Sequence, residues 1–306
     1  MRRIFFFLLT NILVIATISI TYTLICTFFG ITPGYYNEYG INYTGLAIFA
    51  GIFGMGGAFI SLFISKWMAK RMFRLQMVGP QTSNPEARWV YDTVQKLSTS
   101  AKLPKTPEVG IYDSPEVNAF ATGPSKGNSL VAVSTGLLRS MNKGEAEAVL
   151  GHEVAHIANG DMVTLTLIQG VVNAFAIFLS RIAAHVVGSM ISRSDDGPSP
   201  FLHFGLVIAF DILFTFLGSF VVMAFSRYRE YRADAGGAQL AGNGQMIAAL
   251  QKLKGSVDRA GPRDEKVAAF MISNKSPSSF WANMMRTHPS LDDRIEALKK
   301  NPAGGL

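Results

Sequence analysis

The chain has 306 residues, 49% of them hydrophobic and only 16% charged, with a mean hydropathy of +0.25; a disordered chain, which needs low hydrophobicity and high charge, is excluded. One cysteine, Cys26, excludes an internal disulfide framework and any cysteine-built zinc cluster. The net charge of +7 is uneven: residues 1–74 carry Arg2, Arg3, Lys66, Lys70, Arg71 and Arg74 against Glu38 alone, so the excess flanks apolar sequence and reads as a membrane-topology signal, not a nucleic-acid surface.

Residues 4–29 are mostly Phe, Leu, Ile, Val and Thr, and no charge occurs between Arg3 and Glu38. The run reaches the roughly 20 residues that a span requires. It exceeds the apolar core of a cleaved signal peptide and lacks a small-x-small cleavage site, so it reads as a retained span. A second run over 44–65 ends at Lys66, Lys70, Arg71 and Arg74. With both basic ends in the cytoplasm, residues 1–74 form an N-terminal transmembrane hairpin.

Residues 75–160 read as mixed, soluble sequence. Asn84 and Pro85 open a helix with Val90, Val94 and Leu97 on one face. Residues 108–113 and Asn128–Ser134 read as strands, the second a candidate edge for an extended peptide. Asn142 and Glu145 form a capping-box pattern that opens a helix through GEAEAVLGHEVAHIANG. Residues 161–226 hold a second apolar pair: 163–190, with Arg181 and His185, and 204–225, with Asp211. Both runs reach span length; His185 and His203 flank them as interfacial residues. Residues 227–306 carry helices near 227–240, 246–253 and 291–299. The predicted fold is an α-helical membrane protein with four transmembrane helices and a mainly helical α+β catalytic domain, divided between 75–160 and 227–306.

Residues 152–156 read His-Glu-Val-Ala-His. On a helix, positions i and i+4 share a face, so His152 and His156 can place two imidazoles on one zinc ion. Glu153, about 100° round the helix, can reach a water on that ion as general base. The metzincin pattern is excluded, because the positions of its glycine and third histidine hold Asn159 and Met162. A third donor must come from elsewhere. Glu230 and Asp234 share a helical face, so Glu230 could bind zinc and Asp234 could hydrogen-bond a ligand imidazole. Against this, Glu230 could pair with Arg227 or Arg229, and Asp234 could be a surface carboxylate.

The sequence HEVAHIANGD, followed downstream by SRYREYRAD and then THPS, resembles the HtpX-type membrane zinc metalloproteases, relatives of the CAAX prenyl endopeptidases. The similarity covers essentially the whole chain and includes NAFATG at 118–123. It implies one zinc ion per chain on His152, His156 and Glu230, with Glu153 as general base. It also implies His288 as an oxyanion stabiliser and Asn118, Ala119 and Phe120 beside the substrate. On the residues alone, His288 also fits a loop before Pro289, and Asn118 a turn.

The resulting expectation is a zinc endopeptidase with its site at the cytoplasmic face of a bacterial inner membrane. It would act on damaged or misfolded membrane proteins, with the lipid bilayer and protein substrates as partners and no nucleic acid. The alternatives are site-specific processing of the CAAX-endopeptidase type and, from another class, a metal transporter or sensor. Transport ligands belong near the bilayer midplane on broken helices. HEVAH instead precedes a span, and transport has no use for Glu153.

Overall fold

The computed structural model describes residues 16–31, 34, 36–37, 40–192, 199–260 and 288–301. The first part of the opening apolar run and the loop at Asp195 and Asp196 lie outside the described residues. Within them, three helices are long and apolar enough to cross a membrane: α2 (Tyr43–Met72), α6 (Asp161–Ile191) and α7 (Pro200–Ala241). The shorter apolar helix α1 (Ala16–Phe28) precedes them, followed by a two-residue antiparallel pair, β1 (Tyr36–Asn37) and β2 (Gly40–Ile41). The helix expected near 227–240 is not separate. It is the last part of α7, whose 42 residues continue the fourth apolar run without a break and span about 63 Å.

The chain forms two compact units, Met1–Ser61 with Thr166–Val222, and Leu62–Leu165 with Met223–Leu306. In the first, helices meet through small residues, as helices in lipid do because small side chains let backbones approach. A Cβ added at Gly54 of α2 would stand 2.4 Å from the Ala174 backbone nitrogen of α6. Tyr22 of α1 packs edge-on against Phe49, with ring centroids 5.5 Å apart. Arg181 lies ten residues before the end of α6 and Asp211 eleven after the start of α7, about 15 and 16 Å along each helix from that end.

At those matched positions Arg181 Nη1 donates to Asp211 Oδ1 at 2.5 Å, and Ser180 Oγ donates to the same oxygen at 2.6 Å. A charge stranded at a span centre costs roughly 2.5–3.5 kcal/mol on insertion scales. Arg181→Leu or Asp211→Leu should therefore each lower the folded fraction in detergent more than the double substitution does. Simply additive losses in that cycle would mean that the pair contributes nothing.

The second unit holds a four-stranded sheet in the order β3 (Gln76–Val78), β4 (Glu108–Tyr112), β6 (Asn128–Ser134), β5 (Ala119–Ser125). β4 and β6 run parallel; the outer pairings are antiparallel. Asn128–Ser134 is therefore not an edge. Its residues from Ser129 to Ser134 are all buried, as suits a near-continuous apolar run covered on both faces. The edges are β3 and β5; in β5, Gly123 and Pro124 accompany a register shift between Thr122 and Ser125. Proline, lacking an N–H, is confined to such edge or bulge positions.

Helix α3 (Pro85–Ser100) has Asn84 as N-cap, accepting from the Glu86 and Ala87 amides. It buries Val90, Val94 and Leu97 fully. Helix α5 (Lys143–Asn159) begins with the complete Asn142–Glu145 capping box. Gly160, at φ 73°, ends it in the left-handed conformation that costs a glycine nothing. After α4 (Thr135–Ser140) and α8 (Asn243–Ala260), the fold closes with α9 (Leu291–Lys300). Leu97, Val131, Leu150, Met246, Leu250 and Leu291 share one core. The end of α2 is tied to β4 through Glu108, which meets Lys66 at 2.9 Å and also Lys70. Two of the four cluster cations are thus paired.

Candidate metal centre

The centre stands where α5 and α7 cross. A Cβ at Gly237 of α7 would lie 3.0 Å from the His152 amide nitrogen on α5, so the absent side chain is what admits this approach. His152, Glu153 and His156 are buried on α5, and Glu230 and Asp234 on α7. His152 Nε2 and His156 Nε2 are 3.1 Å apart. They lie 3.6 and 3.4 Å from the two oxygens of Glu230. Among the described residues these three side chains form the one cluster able to hold a metal ion. Donors at zinc's usual bond lengths, arranged tetrahedrally, stand about 3.3–3.4 Å apart, so the donor set fits zinc.

The outer nitrogens explain the orientation. His156 Nδ1 is 2.7 Å from Asp161 Oδ2. His152 Nδ1 is 2.9 Å from Asp234 Oδ1, although this approach lies off the axis of a well-formed hydrogen bond, and the nitrogen is buried with no other partner. Each carboxylate, as an acceptor, favours the tautomer with its hydrogen on Nδ1. Both Nε2 atoms then face one another with lone pairs, an arrangement that requires a cation between them or a proton on one.

Burial disfavours the charged form of His152, but Asp234 and Glu230 outweigh it and raise its pKa from 6.5 to about 10. Burial likewise opposes ionisation of Glu230, yet His152, His156 and His288 hold it well below its ordinary 4.5. These directions set the pH profile of metal-free protein. A raised histidine contributes stability below its unfolded pKa and loses it as pH rises through the folded one. A lowered carboxylate does the reverse. Thermal melts of metal-free protein should therefore peak between pH 4.5 and 6.5 and fall steadily toward pH 10. A flat profile above pH 6.5 would contradict the assigned network.

The other expected residues divide. His288 Nδ1 lies 3.1 Å from Glu230 Oε2, beside the centre. Glu153 takes no hydrogen bond or ion-pair partner among the described residues. Asn118, Ala119 and Phe120 are not in hydrogen-bond contact with the cluster. Asn118 leads into β5, its amide donating to Ser134 Oγ at 3.1 Å. Ala119 pairs with Val133, and Phe120 packs on Phe73 and Tyr112 with centroids 4.9 and 5.9 Å away. Two buried residues went unread in the sequence, Asp161 and Arg294. Asp161 follows the helix-ending glycine and reads as a first-turn acid; its signal is its place five residues after His156. Arg294 sits beside Asp292 and Asp293 and reads as a surface partner for them.

The family model of peptidase family M48 matches residues 84–301. The Bacillus licheniformis "Protease HtpX homolog" is 49% identical over 97% of this chain and 99% of its own length. "Protease HtpX" of Alkalilimnicola ehrlichii is 48% identical over 98% of each. The crystal structure of S. mikatae Ste24p superposes with a TM-score of 0.57 at 18% identity, covering 83% of this chain. This chain spans 58% of that structure's length, and the likeness is one of fold. With the family match covering both arms of the metal centre and the relatives covering nearly the whole length, the chain belongs to peptidase family M48, among the HtpX-type membrane-bound metalloproteases.

Proposed function

We propose that the chain is a zinc endopeptidase holding one Zn2+ on His152, His156 and Glu230, in the manner of an HExxH zincin with a glutamate as third ligand. The carrying observation is the cluster itself, whose donor atoms all lie within 4.8 Å of one another and whose outer nitrogens meet carboxylates. Zinc, when bound, supplies Lewis acidity toward the scissile carbonyl and acidifies a water. Glu153 accepts the proton of the attacking water and passes it to the leaving amine. His288, beside Glu230, supports the developing oxyanion. Asp234 and Asp161 hold the two imidazoles, and edge strand β5, from Ala119, carries the substrate as an added strand. Main-chain pairing requires little of the substrate's side chains, which suits degradation of many damaged or misfolded membrane proteins.

Four spans are proposed, with α1 completing the set. The second excursion, 161–226, starts and ends at the metal centre, so it begins and finishes on one side of the bilayer. The basic residues after α2 assign that side to the cytoplasm. The bacterial relatives support placement in the inner membrane. Transport or sensing is disfavoured because the donor helix α5 belongs to the core shared with the sheet. The test is cleavage of an unfolded protein by purified, detergent-solubilised chain. Chelation should abolish cleavage and zinc should restore it; cleavage that survives complete chelation would overturn the reading.

A further inference from the structure

Arg294 lies on α9, 5% exposed, and its contacts converge on the metal centre. Its Nε donates to Asp234 Oδ2 at 2.7 Å and its Nη2 to Oδ1 at 2.6 Å. Its Nη1 stands 3.5 Å from Glu230 Oε2. The planar guanidinium fork fixes both the position and the plane of the carboxylate it grips. A carboxylate held at one oxygen swings about its last torsion; one held at both does not. The Oδ1 so fixed is the same atom that lies 2.9 Å from His152 Nδ1. Arg294 therefore determines where His152 finds its acceptor.

Charge points the same way. Asp161, Glu153, Glu230 and Asp234 are all buried here, and a divalent ion offsets two of the four. Arg294 offsets a third, the one on Asp234, so Asp234 stays behind His152 and does not compete for the ion. We infer that Arg294 is a positioning residue of the metal centre, fixing Asp234 so that His152 presents Nε2 to the ion, and that α9 is thereby part of the centre. This inference rests on the reading of His152, His156 and Glu230 as zinc ligands.

Helix α9 does not need Arg294 in order to dock. Leu291, Ile295 and Leu298, at i, i+4 and i+7, are buried in the common core. Ser290 caps the helix by accepting from the Asp293 amide at 3.0 Å. Asn243 Nδ2 donates to the Leu298 carbonyl at 3.3 Å. A variant at position 294 can therefore remain folded while the centre loosens.

The experiment measures zinc affinity of full-length, metal-stripped protein in detergent by competition with a chelating dye, with thermal melts in parallel. Arg294→Lys keeps the charge but loses the fork, and Arg294→Met loses both. Affinity should fall about tenfold for Lys and up to about 100-fold for Met, the range found for residues behind metal ligands. Unchanged affinity in either folded variant overturns the inference. Should a stripped variant be unfolded, refolding at excess zinc supports the inference, and unfolding that zinc does not reverse overturns it. Wild-type protein that binds no zinc would refute the metal centre itself, a result distinct from either.

Discussion

Glu153→Gln should leave zinc bound at one ion per chain while lowering peptide-bond cleavage by about 10²–10⁴-fold, the usual contribution of a positioned general base. The two effects separate because Glu153 is beside the centre without belonging to it. It occupies the next helical position after His152, and no ion pair or hydrogen bond among the described residues engages its carboxylate. Glutamine keeps its shape and its burial but cannot accept the proton. Metal content and cleavage should be measured on the same preparation. Substantial residual turnover would remove Glu153 from its role, and loss of zinc would mean that its carboxylate is a ligand.

Glu230→Ala should lose both metal and activity, by more than the roughly 10–100-fold that a change behind the ligands costs in metal affinity. Glu230 is 2% exposed and lies within 3.1–3.6 Å of His288, His156, Arg294 and His152. Alanine leaves three imidazoles and the Arg294 guanidinium around a space that the Glu230 carboxylate no longer fills. The expected signature is weak zinc binding with α5 still folded, since its capping box and core contacts do not involve Glu230. Normal zinc stoichiometry and affinity in this variant would place the third donor elsewhere.

Much of the chain was legible because local chemistry and packing agree. Asn142 and Glu145 announce the start of α5, and Val90, Val94 and Leu97 mark the buried face of α3; both features occur in the structure. What was misread depends on partners distant in sequence. Nothing in 119–125 reads as a strand, since Gly123 and Pro124 signal a turn; only pairing with β6 makes it one, and makes Asn128–Ser134 central. The apolar pattern ends at Phe225, yet no glycine or proline follows for ten residues, so α7 runs on through Glu230 and Asp234. His152 and His156 could be named from motif and helical spacing, and Glu230 as a candidate that the family resemblance selects as third ligand. Asp161 and Arg294 could not, because a carboxylate after a helix and an arginine among aspartates look the same whether they face water or a metal ligand.

The most direct test of the central claim is X-ray absorption at the zinc edge of the full-length protein. The ligand set predicts only nitrogen and oxygen donors near 2.0–2.2 Å, including two imidazoles, in a four-coordinate shell completed by water. A sulfur donor at about 2.3 Å, or a shell with fewer than two imidazoles, would contradict it.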